Sequence, residues 1–173
     1  FDTRNVASMK SMFENCKSLE KLDTSNFKGQ NIGNIENMFK DCHKLKSIDL
    51  SNFDASPTYM TMAFYNCKSL EELIIPKLQT DKPLYPSSIF ANCHKLKSLN
   101  LKQNKIKVLP KMYAVYLEDI NLSENRISDC SQFTGLPKLK KLNLNQNKIK
   151  SCKGLSNCPL LDVLYLNQNN RDS

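Results

Sequence analysis

The sequence predicts an α/β solenoid: short parallel strands stacked one per repeat into a single sheet, with short helices or turns on the opposite, convex side. Three observations carry this expectation. The stretch "MFENCKSLEKLDTSNF" at residues 12–27 returns as "MFKDCHKLKSIDLSNF" at 38–53, as "AFYNCKSLEELIIPKL" at 63–78 and as "IFANCHKLKSLNLKQN" at 89–104, a period that belongs to stacked-repeat architectures. Each repeat holds apolar residues in the pattern L-x-x-L-x-L, whose alternation is that of a half-buried strand. No apolar run among the 173 residues approaches the roughly 18 residues that a membrane-spanning helix needs.

Alignment on that pattern gives strand candidates beginning at Leu19, Leu45, Leu70, Leu96, Leu117, Leu139 and Leu161, in steps of 26, 25, 26, 21, 22 and 22 residues. About seven parallel strands are therefore expected. The fourth and sixth positions of each point inward: Leu22 and Thr24, Ile48 and Leu50, Leu73 and Ile75, Leu99 and Leu101, Ile120 and Leu122, Leu142 and Leu144, Leu164 and Leu166. The ninth position is Phe27, Phe53 and Leu78 in the first three units, then Asn104, Asn125, Asn147 and Asn169. Two repeat subtypes are thus fused. An inward asparagine can satisfy backbone groups of neighbouring loops, whereas phenylalanine fills the same space with apolar volume.

Upstream of the early strands, Val6, Met9, Met12, Phe13 and Cys16 recur as Ile32, Ile35, Met38, Phe39 and Cys42, spacings that read as one face of a short helix. Asn15, Asp41, Asn66 and Asn92 stand just before the cysteines and are residue types that tolerate the left-handed conformation. Each unit reads as short helix, tight turn, strand.

On these residues a family resemblance can be stated. The first four units, with "FDTRNVASMKSMFENCKSLEKLDTSNF" as the nearest stretch, resemble the 26-residue leucine-rich repeats of BspA-like bacterial surface proteins. The later ones, such as "LEDINLSENRI" and "LKKLNLNQNKI", are similar to ordinary 22-residue leucine-rich repeats. The units beginning "FKGQNIGNI" and "FDASPTYM" lack the Ser/Thr-rich turn that "FDTRNV" partly keeps. The resemblance implies a right-handed leucine-rich-repeat horseshoe over residues 1–173, one domain with BspA-like repeats over 1–95 and 22-residue repeats over 96–173. Because Phe1 takes the place of Phe27 and Phe53 within a unit, the chain reads as a fragment of a longer one. The family implies a non-catalytic protein–protein interaction module of a cell-surface or adhesion protein; the alternative is an intracellular scaffold or regulatory subunit of a larger assembly. A third class is the recognition domain of an enzyme whose catalytic part lies elsewhere.

All seven cysteines occupy repeat positions: Cys16, Cys42, Cys67, Cys93 and Cys158 lie three residues before a strand leucine, and Cys130 and Cys152 share another slot. The strand spacing alone permits disulfides. Yet Leu136 and Ala114 take the first slot in other units, so the position reads as apolar filler holding buried free thiols, which favours a reducing compartment. His43 and His94 each follow a cysteine but stand two repeats apart with no paired metal-ligand spacing, so neither a metal nor a cofactor is expected. No nucleotide-binding fingerprint or nucleophile–base spacing is present either. The sequence reads as a non-enzyme. The glycosylation sequon at Asn121 falls on a strand and is read as chance.

The exposed second strand position runs Glu20, Lys46, Glu71, Lys97, Glu118, Lys140, Asp162, alternating in sign at every step, as a column that aligns the stack would. The outward positions should line the concave face, where such horseshoes bind. Position five reads Asp23, Asp49, Ile74, Asn100, Asn121, Asn143 and Tyr165, candidate partner-binding residues against the competing reading of a solvated polar face. The formal net charge of +8 is uneven: residues 1–86 hold 11 basic and 11 acidic side chains, and 87–173 hold 14 and 6. Lys95, Lys97, Lys102, Lys105, Lys107 and Lys111 form a candidate basic patch for an acidic partner or anionic surface; a lysine-rich solubility surface is the bland reading and the favoured one. Because 22 of the 25 basic residues are lysine and no aromatic platform accompanies them, nucleic acid is set aside as a partner.

Overall fold

The alternation of buried and outward residues is realised in six strands of three residues each: β1 (Ser47–Asp49), β2 (Glu72–Ile74), β3 (Ser98–Asn100), β4 (Asp119–Asn121), β5 (Lys141–Asn143) and β6 (Val163–Tyr165). The structure is a computed structural model and describes residues 2–28, 31–53, 57, 59–75, 89–108 and 115–169. The strands form one parallel sheet in chain order. Register keeps equivalent repeat positions side by side, Ile48 against Leu73, Leu99, Ile120, Leu142 and Leu164 in turn. This is the leucine-rich-repeat solenoid.

The expected strand at Leu19 is not formed, so the described sheet has six strands where about seven were expected. Residues 20–24 run alongside β1, with the Glu20 carbonyl accepting from the Lys46 amide at 3.2 Å and the Thr24 hydroxyl donating to the Asp49 carbonyl. Among the described residues this unit has a neighbouring layer on one side only, and those contacts are too few to close a ladder. Inward positions behave as alternation requires: Ile48, Leu50, Leu73, Ile75, Leu99, Leu101, Ile120, Leu122, Leu142 and Leu144 are all buried. Leu164, in the outermost described layer at the other end, is 36% exposed.

The convex segments of the first three units are turns, a correction to the expected short helices. Alternate amides point along the stack: those of Met9, Ser11, Phe13 and Asn15 donate to the carbonyls of Asn34, Glu36, Met38 and Lys40 at 2.8 to 2.9 Å. The amides between them, on Met12, Glu14 and Cys16, close local turns onto Met9, Ser11 and Phe13. A helix directs every amide along its own axis, so this alternation and a helix exclude each other. The first and last of these turns in each unit carry a left-handed residue in third place, as the type II geometry demands: Ser11 (φ 56°) and Asn15 (62°), Asn37 (56°) and Asp41 (62°), Met62 (56°) and Asn66 (62°). The left-handed tolerance read at Asn15, Asp41, Asn66 and Asn92 is realised, and at the first three it serves turns instead of helix ends.

Inside the turns, Phe13, Phe39, Phe64 and Phe90 stack, with centroids 5.2, 5.4 and 6.2 Å apart. The cysteines are more than filler. The thiols of Cys42, Cys67 and Cys93 each donate to the carbonyl of Phe13, Phe39 and Phe64 in the preceding unit, all at 3.1 Å. A thiol there fills apolar volume and satisfies a buried carbonyl as well. All seven cysteines are free. Burial pushes the Cys42 thiol up to about 11 and the Cys130 thiol up to about 12, which suppresses the nucleophilic thiolate. Cys16 and Cys152 depart from the expected burial, being half-buried and exposed, because they stand in the outermost described units with less cover.

Where the subtype changes, asparagine takes over. Asn125 Oδ1 accepts from the amides of Asn104 (3.1 Å) and Ile106 (2.9 Å), and its Nδ2 donates to the carbonyls of Leu101 (2.9 Å) and Leu122 (3.0 Å). Asn147 repeats this between Ile127 and Leu122, and Asn169 between Ile149 and Leu144. Asn104 Nδ2 reaches the Ile75 carbonyl at 2.8 Å and so joins the two subtypes.

The charge column closes in pairs: Lys46 with Glu20 at 2.9 Å, Lys97 with Glu71 at 2.9 Å, Lys140 with Glu118 at 2.7 Å. Lys97→Glu sets like charges beside both Glu71 and Glu118, and is expected to lower the melting temperature by an amount that shrinks as salt is added. A melt that does not move, measured in low salt, contradicts an aligning role. Hydrogen bonds from these lysines, with their positive charge, hold the Glu20, Glu71 and Glu118 carboxyls below the ordinary 4.5. Their folded values being lowered, the stabilisation is present in full above 4.5 and lost as pH falls through the folded values.

Candidate binding site on the concave face

Strand pleating puts the residues on either side of each buried fourth position on the face opposite the core. There Asp49, Ile74, Asn100, Asn121, Asn143 and Tyr165 stand in one row, each paired in register with the next. Asp23 occupies the equivalent place on the extended segment before β1. Asp23, Asp49 and Tyr165 are exposed, and Ile74, Asn100, Asn121 and Asn143 are half-buried. The row expected from the sequence is continuous and outward-facing.

Its chemistry differs from a simple polar face. In five of the seven residues one side-chain oxygen is committed to the chain's own backbone two residues on. Asp23 Oδ1 accepts from the Ser25 amide (2.9 Å), Asp49 from Ser51 (2.7 Å), and Asn100, Asn121 and Asn143 from Lys102, Ser123 and Asn145 (each 3.0 Å). These are Asx turns, which bend the chain away from the sheet after β1, β3, β4 and β5 and after the segment before β1. The amide hydrogen bond from Ser25, with that residue's side chain, lowers the Asp23 carboxyl. Sequence reasoning missed this role, although the signal was present: Asp or Asn falls where the strand must end, two residues before a turn amide.

At the first units the face opens into a cleft of about 340 Å³ lined by Lys21, Leu22, Asp23, Thr24, Ser25, Ser47, Asp49 and Asn52. At the far end Tyr165 is exposed on this face, while Leu164 beside it is exposed on the core side.

The basic candidates are arranged differently. Lys95, Lys97, Lys102, Lys105 and Lys107 are spread along one unit, from the turn before β3 to the loop after it, and Lys111 lies outside the described residues. Lys97 is paired with Glu71 (2.9 Å) and Lys102 with Glu124 (2.8 Å). Lys97 and Lys102 thus have their charge answered locally.

His43 Nε2 sits 3.5 Å from Asp41 Oδ1 and 3.2 Å from Asn66 Nδ2. Among the described residues no group of three or more His, Cys, Asp or Glu is placed to hold a metal ion. No helix among them is long and apolar enough to cross a membrane.

A family model described as "Mycoplasma protein of unknown function, DUF285" matches residues 1–104, and a leucine-rich-repeat model matches residues 115–170. No curated protein matches the chain. Among solved structures, it is similar to human trophoblast glycoprotein (Wnt-activated inhibitory factor 1) with a TM-score of 0.67 and 19% identity, over 96% of this chain and 68% of that one. The mouse RP105/MD-1 complex gives a TM-score of 0.56 and 23% identity over 76% of this chain. A leucine-rich-repeat protein of Leptospira interrogans gives 0.56 and 20% over 80%. The chain spans 27% and 42% of the length of those last two. At these identities the likeness is one of fold.

Proposed function

From the chain's membership of the family described as Mycoplasma protein of unknown function, DUF285, continued by leucine-rich repeats, we propose that it is a non-catalytic protein-interaction module that binds through its concave face. The observation that carries this reading is the unbroken outward row from Asp49 to Tyr165, held in register by the sheet beneath it. The module is one domain over residues 1–173, its BspA-like units over 1–95 and its shorter ones over 96–173, and it serves a surface or adhesion protein. The row holds none of the arginine or tryptophan anchors that dominate tight interfaces, and Tyr165 is its one aromatic, so binding is spread over many small contacts.

A second reading, an intracellular scaffold, is favoured by one observation: seven cysteines all free, where oxidising compartments usually pair theirs. A photo-crosslinking residue at Asn121, on the concave face, and another at Lys68, exposed in the turn before β2 and outside the row, test the interaction surface in the native host. Adducts to one defined protein from position 121 and none from 68 are expected. Adducts from 68 alone, or from neither position, overturn the concave-face reading.

A further inference from the structure

Each Asx turn fixes which atom a row-five side chain leaves to solvent. An asparagine whose Oδ1 accepts the backbone amide two residues on turns its Nδ2 outward, so the amide orientation is set by the turn. Across β3, β4 and β5 three such residues stand side by side: Asn100 is in register with Asn121, and Asn121 with Asn143. Strand spacing puts their –NH2 groups about 4.8 Å apart. Asn145 adds a fourth, because its Oδ1 accepts the Asn167 amide at 2.7 Å. The buried Ser123 hydroxyl also donates to Asn121 Oδ1, at 2.8 Å, so two donors hold that oxygen. The carboxylate beside the row, Asp119, is held by Lys141 at 3.2 Å. The strip is therefore rich in free donors and poor in free acceptors.

Two further features act in the same direction. Ile74 and Tyr165 close the donor row at either end, which sets the length of the strip. The excess positive charge of the chain lies in the half that carries it, residues 87–173 with 14 basic and 6 acidic side chains, and attracts negative charge from beyond contact range.

We propose that the concave strip across β3, β4 and β5 docks an extended acidic protein segment, whose carboxylates accept hydrogen bonds from Asn100, Asn121 and Asn143. The proposal rests on the concave face being the binding face and names the chemistry of what binds there. Hydrogen bonds to a charged acceptor are stronger than neutral ones, so a row of amides suffices to read an acidic segment without an arginine.

The chain contains its own control for the test. Asp23 and Asp49 hold the same Asx turn with a carboxylate, so Asn100→Asp, Asn121→Asp and Asn143→Asp keep the turn while replacing each donor with a repelling oxygen. The triple variant should keep the fold and melt somewhat below the parent, because three carboxylates then stand in register, a loss that shrinks as salt is added. It removes three units of net charge, and Lys17→Gln, Lys44→Gln and Lys68→Gln, exposed residues in the turns before the strands and outside the row, remove the same three.

Short poly-L-glutamate serves as the probe, with poly-L-lysine as its opposite. The parent protein should bind poly-L-glutamate, the row variant should lose at least about tenfold in affinity, and the charge-matched control should lose clearly less. Equal losses in the two variants, or no binding by the parent, overturn the proposal. If a crosslinker at Asn121 captures a partner while the row variant binds poly-L-glutamate unchanged, the concave-face reading stands and the acidic ligand falls. If it captures none while the row variant alone loses the probe, the strip's chemistry stands and the wider function falls.

Discussion

Asn125→Ala is expected to destabilise the chain by about 4 kcal/mol. The buried amides of Asn104 and Ile106 and the carbonyl of Leu101 all bond to this one side chain, and each buried polar group stranded without a partner costs about 1–3 kcal/mol. The Leu122 carbonyl loses one donor but keeps Asn147 Nδ2 at 2.8 Å, so it is not counted. In a chain of this size the loss corresponds to a fall of roughly 10 °C in melting temperature. Asn125→Asp should fare poorly as well, since its second oxygen faces the Leu101 and Leu122 carbonyls. Thermal unfolding followed by circular dichroism checks both; a fall of less than about 3 °C for the alanine variant shows that the ladder contributes little.

Phe39→Ala comes next, at about 3–5 kcal/mol. The ring lies between Phe13 and Phe64, at 5.2 and 5.4 Å and nearly parallel to both, and is fully buried. The cavity that alanine leaves is walled by backbone turns bonded to the units on either side, which limits how far the site can collapse. Phe39→Leu should recover more than half of the loss by refilling volume without the ring contact. Denaturant unfolding distinguishes the two variants; equal midpoints for parent and alanine variant contradict a structural role for the stack.

These two residues also mark how much was legible in the sequence. The inward leucines and isoleucines were readable because strand alternation has a period of two, and the ladder asparagines because a polar residue recurring at a buried position needs a backbone partner. The convex segment misled because Met9, Met12, Phe13 and Cys16 are spaced as a helix face would be. Consecutive turns also return a side chain to the core every three or four residues, and apolar spacing does not distinguish the two. The left-handed residues at Ser11, Asn37 and Met62 break the helix, and serine and methionine give little warning of that conformation. Row five was legible as a place but not as a chemistry. Which atom of Asn121 faces a partner depends on the Ser123 amide, two residues away, closing an Asx turn.

Side-chain amide exchange measured by nuclear magnetic resonance tests the whole arrangement most directly, since it reads two classes of asparagine in one experiment. The ladder residues Asn104, Asn125 and Asn147, whose Nδ2 groups donate to buried carbonyls, should exchange slowly with solvent. Asn100, Asn121 and Asn143, with Oδ1 held in a turn and Nδ2 free, should exchange at rates near those of exposed amides. Slow exchange in row five, or fast exchange in the ladder, contradicts a stack whose buried asparagines hold it together and whose outward asparagines await a ligand.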